Sequence, residues 1–318
     1  MAGIGNAASA IQFIPRIAPE VAGLTVFQSS ANYVVPRMDR AYTAAERAAF
    51  GGDEAAFAAS RAAMYAEREE RFARMRVGSA EAAELTRIAR EHLDAHVIDP
   101  ALREHLWPDY PIGCKRILIS DDYFPALNRA NVTVITSAIA RIVPEGIVTA
   151  DGALHEADVI IHATGFETRS FHGPVTITGV GGQTLAEAWN GTPRALHGIT
   201  VPGFPNFFML YGPNTNLGHN SILEMLEAQS RYVIQAQALL DNTGALNAKP
   251  AAPAAFDGKT QAAMVGSAWA AGCTSWYARG DGRVINNWSG TVGEYRAAVA
   301  GFDPADYDLL PPPPSPYD

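Results

Sequence analysis

Two periodicities run along this chain, and their order predicts its architecture. In the first 28 residues, Ile11, Ile14, Ile17 and Ala18 share one helical face. "LTVF" (Leu24 to Phe27) then reads as a short buried strand, so the start is turn, helix, strand. Residues 41–107 keep helical spacing and are rich in Ala, Glu and Arg. Thr43 with Glu46 forms a capping box at one helix start, and Gly51-Gly52 and Gly78-Ser79 mark breaks. Asp99-Pro100 supplies an N-cap followed by proline at the first helical position. From residue 131 the period shifts to strands. "NVTVI" is followed by a hairpin turning at Asp151-Gly152, and then by "DVIIHA", read as a buried strand. Residues 196–240 read as turn, strand ("NFFMLYG"), loop and a long amphipathic helix starting at a second capping box, Ser221 with Glu224. After about residue 242 the chain is Ala/Pro/Gly-rich and then aromatic, and residues 311–318 read as a disordered tail. Strands alternating with helices place the chain in the α/β class.

Composition narrows the function. With 318 residues, 48% hydrophobic and 18% charged, the chain has the makeup of a globular protein large enough for two domains. A net charge of -9 argues against a nucleic-acid partner. No apolar run reaches the roughly 18 residues of a membrane span, and no signal peptide is legible. Two cysteines far apart, Cys114 and Cys273, argue against a disulfide framework. Together these features predict a cytoplasmic protein. His92 and His96 lie one helical turn apart, but without a third ligand they read as a solvated helix face, and no metal is expected.

The opening "MAGIGNAASA" carries the first chemistry. Gly3 to Ala8 fits GxGxxA literally but leaves only Met1-Ala2 as a preceding strand. Gly5-Asn-Ala7-Ala-Ser9-Ala10 fits GxAxxA, keeps Ala2 to Ile4 as a strand, and puts Ile11 and Ile14 on the core side of a helix starting near Ala7. The second register is preferred. Backbone N–H groups and the positive dipole end of such a helix cradle a pyrophosphate. Ala7 adds a methyl where a cofactor must come close, which weakens binding. A plain tight turn entering a helix is the alternative. At the end of the next strand stand Gln28, Ser29 and Ser30, with no acid to bond a ribose 2′-hydroxyl. Serine hydroxyls, helped by Arg37 or Arg40, suit a 2′-phosphate, so the strand end leans to NADP over NAD.

Four stretches in order carry a family resemblance: "LTVFQSSANYVVPRMDRAY", "GCKRILISDDYFPALNRANV", "DVIIHATGFET" and "GFPNFFMLYGPNTNLGHNSILEMLEAQSRY". Together they resemble Baeyer–Villiger and related flavin-containing monooxygenases, from Gly5 to about Tyr307. The resemblance implies a truncated two-dinucleotide-binding-domain flavoprotein fold. Residues 1–162 would be a Rossmann-like NADPH-binding domain with a helical insertion at about 41–110, and residues 163–310 the C-terminal part of the FAD domain. The family's first GxGxxG and the fingerprint after it are not in this sequence, so the chain is expected to be the C-terminal portion of such an enzyme.

Roles follow position by position from that resemblance. Gly5, Ala7, Ser9, Ala10, Ser29, Ser30 and Lys115 would bind NADPH, with Lys115 reaching its 2′-phosphate. Arg116 would face the flavin as the catalytic residue, its permanent charge stabilising a deprotonated C4a-peroxyflavin that attacks a ketone. Ala163, Thr164 and Gly165 would form the crossover between domains beside the cofactor. Asn214, Thr215, Asn216 and Leu217 would lie by the isoalloxazine ring, whose reduced form a helix N-terminus stabilises. His219 is expected to pack or bond within this loop. Trp269, Trp276, Tyr277 and Trp288 read as core rather than pocket lining. The implied reaction uses FAD, NADPH, O2 and a ketone or other organic substrate to give an ester or lactone, with impaired or no activity for this chain alone. The alternative is a non-catalytic NADP-binding remnant, or a half-protein that needs an FAD-binding partner chain. Uncovered sheet edges would favour self-association.

Overall fold

The computed structural model describes residues 1–168, 170–240 and 244–311. Most of the expected tail, residues 312–318, lies outside them. The chain divides into two compact units. The first comprises Met1–Ala44 and Gly78–Phe166, and the second Ala45–Val77 with the described residues after Phe166. In chain order the elements begin with β1 (Ala2–Ile4), α1 (Ala10–Ile17), β2 (Leu24–Phe27) and β3 (Val34–Val35). Four helices follow: α2 (Ala44–Gly52), α3 (Glu54–Glu70), α4 (Ala80–His96) and α5 (Pro100–Leu106). Next come β4 (Leu118–Ile119), α6 (Tyr123–Leu127), β5 (Val132–Ile135), β6 (Ile139–Val143), β7 (Gly146–Thr149), β8 (Leu154–Glu156) and β9 (Ile160–His162). The second unit continues with α7 (Leu185–Trp189), α8 (Ile222–Leu240), β10 (Ala245–Ala248), α9 (Ala251–Ala263), α10 (Val292–Ala298) and β11 (Tyr307–Leu310).

The first unit is built on a four-stranded parallel sheet in the order β5-β2-β1-β9. Leu24 and Val26 point to one face and pack with Ile11 and Ile14 of α1, Leu93 of α4 and Phe124 of α6. Phe27 and Ala2 point to the other face and meet Ile147 of the antiparallel β6-β7-β8 meander. This is the period-2 alternation of a sheet covered on both sides. The chain runs outward from β1 to β2 to β5, then returns to place β9 on the other flank of β1. The strand order therefore reverses between β1 and β9, where open α/β sheets bind their ligands.

The expected Asp99 cap forms, and the structure adds two that were not expected, Asp53 and Ser79. Asp53 accepts from Ala55 N and Ala56 N, Ser79 from Ala82 N, and Asp99 from Ala101 N. Five expectations are corrected. Over "NFFMLYG" there is no strand. Its backbone is held by scattered partners, such as Leu246 O for Asn206 N and Ile199 O for Met209 N. Left-handed φ values at Asn206 (57°) and Tyr211 (64°) break the pleat. β9 is only half-buried, because β1 is its sole described neighbour. The Ser221–Glu224 capping box does not form, since the Glu224 carboxylate turns to Arg61 at 2.7 Å. His92 is buried rather than solvated: its ring packs on Phe124 and its Nε2 lies 2.9 Å from Ser120 O. Burial holds its pKa below the ordinary histidine value. Among the described residues no group of three His, Cys, Asp or Glu side chains is placed to hold a metal, and no helix is long and apolar enough to cross a membrane. Neither cysteine is a free thiol, which removes the support two unpaired cysteines would lend to a reducing compartment.

The helical block of residues 44–106 is shared between the units. Side-chain bonding explains why Ala45–Val77 joins the second. Arg61 of α3 donates to Glu224 and Glu227 of α8, and Glu69 accepts from Val292 N and Gly293 N at the start of α10.

Candidate cofactor-binding site

In the first unit the sequence-predicted residues gather along the carboxyl edge of the parallel sheet. Gly5 follows β1, Ser29 and Ser30 follow β2, and Ala163 to Gly165 follow β9. Gly5 has φ +109°, and a Cβ built on it would sit 2.4 Å from Ala163 O. Only glycine permits that approach of two strand ends. The helical turn begins with Ile11 N bonding Ala7 O at 3.1 Å. Ahead of it, the N–H groups of Ala7, Ala8 and Ser9 donate to no acceptor among the described residues, and Ser9 makes no side-chain cap. Ala7 and Ser9 are exposed, while Ala10 is fully buried in the core. Free donors beside a glycine at a strand-order reversal have the chemistry to receive an anion. Of the two sequence registers, the one starting at Gly5 agrees with these strand and helix bounds.

A second group stands at the end of β2. Ser29 is exposed, and Ser30 Oγ accepts from Lys115 Nζ at 2.8 Å, although the two lie far apart in sequence. The Lys115 ammonium also sits 4.6 Å above the Tyr110 ring. Burial lowers its pKa, and nearby Asp109 opposes that shift. Arg116 is exposed and has no side-chain partner among the described residues.

The sequence reading missed the polar net that shapes this edge. Asn6 Nδ2 donates to Gln28 Oε1 and to Ser30 O, both at 2.8 Å, and Asn32 Nδ2 donates to Asn6 Oδ1 at 3.1 Å. Gln28 Nε2 donates to His105 O at 2.6 Å. Asn6 and Gln28 are both buried. An asparagine inside the glycine turn, with a glutamine where an acid would select NAD, was the available signal.

The remaining predicted residues are in the second unit, in the loop that precedes α8. Asn214 Nδ2 donates to Val284 O and Asn287 O at 2.9 and 3.0 Å, and Thr215 Oγ1 donates to Gly212 O at 2.7 Å. Those side chains are buried and committed within the protein. Asn216 Nδ2 donates to Asn287 Oδ1 at 2.6 Å. The N–H groups of Thr215 and Leu217 have no protein acceptor among the described residues. Gly218 is pressed against Trp269 and Met75, each 3.1 Å from where a Cβ would be. Trp269 and Tyr277 are buried, and Trp288 stacks on Phe256. Trp269, Tyr277 and Trp288 serve as core, whereas Trp276 is exposed and departs from that expectation.

His219 is buried, with Nε2 3.4 Å from Glu69 Oε1. That is long for a hydrogen bond, and we treat it as an electrostatic contact. Burial holds the His219 pKa down against the pull of Glu69. Burial also works to raise Glu69, but donors from Gly293 N, Asn220 and Val292 N outweigh it and keep the carboxylate ionised. Glu69→Ala removes the acceptor for Asn220 Nδ2 (2.8 Å), Val292 N (3.1 Å) and Gly293 N (2.9 Å). The expected cost is about 2 kcal/mol. Faster amide exchange at residues 217–221 and at the start of α10 checks it.

No family model matches the chain. Curated relatives do. A Baeyer-Villiger monooxygenase of Streptomyces coelicolor is 40% identical over 319 residues, covering 99% of this chain and 62% of that protein. One of Pseudomonas aeruginosa is 38% identical over 317 residues, covering 98% of this chain and 60% of that protein. Among solved structures, an oxidized steroid monooxygenase bound to NADP superposes with a TM-score of 0.81 at 29% identity, over 98% of this chain and 66% of that one. A closed crystal structure of cyclohexanone monooxygenase gives a TM-score of 0.83 at 22% identity, over 98% of this chain and 67% of that one, and so supports the fold. By sequence along almost its whole length, and by fold, the chain is a homologue of the Baeyer–Villiger monooxygenases, spanning 62% and 60% of the two bacterial relatives.

Proposed function

We propose that the chain works as an FAD- and NADPH-dependent monooxygenase of the Baeyer–Villiger type, with NADP(H) held along the carboxyl edge of the first unit's sheet. One observation carries the NADP(H) reading: unpartnered N–H groups beside a glycine that admits no Cβ, on the same sheet edge as a lysine held to the serine after β2. Residues 5–10 fit a pyrophosphate and the Lys115–Ser30 pair a 2′-phosphate. The solved steroid monooxygenase bound to NADP supports this cofactor, and an FAD-binding monooxygenase from Aspergillus niger, 36% identical, supports the flavin. The chemistry that FAD supplies when bound is acceptance of hydride from NADPH and activation of O2, so that a ketone, O2, NADPH and a proton give an ester or lactone, water and NADP⁺. Arg116 contributes a permanent positive charge that favours anionic species near it. The unpartnered N–H groups of Thr215 and Leu217 are donors for an electron-rich ring edge.

The test is titration of the purified chain with NADPH and NADH, with its flavin absorbance and ketone-dependent NADPH oxidation recorded alongside. Lys115→Ala is expected to weaken NADPH at least tenfold and to change NADH less than twofold, as loss of a charged contact to phosphate predicts. An equal effect on both cofactors would overturn the assignment. A colourless protein that takes up no FAD yet prefers NADPH would instead be an NADP-binding protein without oxygenation of its own.

A further inference from the structure

Residues around the end of β2 are locked to the segment that carries Lys115 by a reciprocal pair of tyrosines. Tyr110 OH donates to Ala31 O at 2.8 Å, and Tyr33 OH donates to Tyr110 O at 2.9 Å. Their rings meet edge to face at 5.7 Å, and Trp107 packs on Tyr33 at 5.3 Å. Tyr110 is 9% exposed, so its ring is a fixed surface rather than a mobile one. The Lys115 ammonium lies 4.6 Å above that ring and donates to Ser30 Oγ. Lysine is otherwise a flexible point charge with several rotamers to lose on binding. Here an aromatic face and one hydroxyl hold it in advance, leaving two of its three N–H donors for an incoming anion.

We propose that Tyr110 is a positioning residue for cofactor choice: its ring seats the Lys115 ammonium against Ser30 and so sets the preference for NADP(H) over NAD(H). The inference rests on the cofactor reading given above. The ring acts through Lys115, and its hydroxyl serves only the backbone lock. Removing the ring frees the ammonium without removing the charge, so the loss falls on the 2′-phosphorylated cofactor alone.

The experiment measures dissociation constants for NADPH and NADH with the full chain, its Tyr110→Leu, Tyr110→Met and Tyr110→Phe variants, and Lys115→Ala. Both ring-less variants are expected to cut the NADPH-to-NADH affinity ratio about fivefold, the order a cation–π seat contributes, with NADH unchanged within twofold. Tyr110→Phe keeps the ring and is expected to keep the ratio within twofold. A ring-less variant that melts at the wild-type temperature and retains the full ratio overturns the proposal. So does a fivefold loss in Tyr110→Phe, which also decides the matter if the ring-less variants fail to fold. Lys115→Ala separates the two levels. If that variant keeps the wild-type ratio, the cofactor reading itself fails; if it loses the ratio while the ring-less variants keep it, only the role of Tyr110 does.

Discussion

Gly5→Val is expected to abolish NADPH binding and to lower the melting temperature of the first unit on the order of 10 °C, a destabilisation of about 4 kcal/mol. Two penalties act together. At φ +109° any side chain is strained, and the new Cβ would lie 2.4 Å from Ala163 O and 3.0 Å from Ala163 C. That carbonyl belongs to backbone and cannot rotate away. Ala163 N is bonded to Ile4 O at 2.8 Å, and Gly5 N to Phe27 O at 2.9 Å, so relief would pull β1 from both neighbours. Gly78→Ala is the control. Gly78 has φ +78° but open space around its Cβ direction. It pays only for strain, about 1–2 kcal/mol, and is expected to keep cofactor affinity. Thermal unfolding and NADPH titration of both variants check the prediction. A Gly5→Val protein that melts like wild type would refute the close approach.

Acid is expected to weaken the second unit through His197. This ring lies between Tyr232 and Phe256, with centroids 5.4 and 5.0 Å away, and its buried Nδ1 has no hydrogen-bond partner among the described residues. Burial pushes its pKa down to about 4 from an ordinary 6.5. The sign follows from proton counting. Between those two values the unfolded chain binds a proton that the folded chain refuses. The stabilisation is fully present above pH about 6.5 and is lost as pH falls toward about 4, amounting to about 2–3 kcal/mol by pH about 4.5. His219, also held down by burial, works in the same direction. Urea unfolding at several pH values tests this with His197→Asn, since asparagine tolerates the left-handed φ of 54° found there. The variant is less stable at neutral pH because it loses ring packing. Its stability should, however, decline less steeply from pH about 6.5 to about 4.5. Parallel declines in the two proteins would refute the role of His197.

Local signals survived folding because their physics is local. The Asp99 cap acts within two residues, and the Asp151-Gly152 hairpin turns between β7 and β8. The glycine turn was legible because β1, a tight bend and an apolar helical face follow one another directly. "NFFMLYG" misled because apolar content does not distinguish a strand from an irregular buried segment. There Gln229 Oε1 accepts from Tyr211 N at 2.9 Å, a partner from α8 that no local pattern announces. Glu224 misled in the same way: a capping-box spacing lost to Arg61 on a distant helix.

From the sequence alone came the α/β class, the opening turn, the Lys115-Arg116 pair and the family resemblance, since each is written in neighbouring residues or in ordered motifs. Tertiary structure alone decided that Gly5 abuts Ala163, that Lys115 meets Ser30 over Tyr110, and that Glu69 of α3 holds the start of α10. Those pairings join residues separated by tens to hundreds of positions. Which of them forms depends on how strands and helices pack together, and side-chain spacing along a chain carries no record of that.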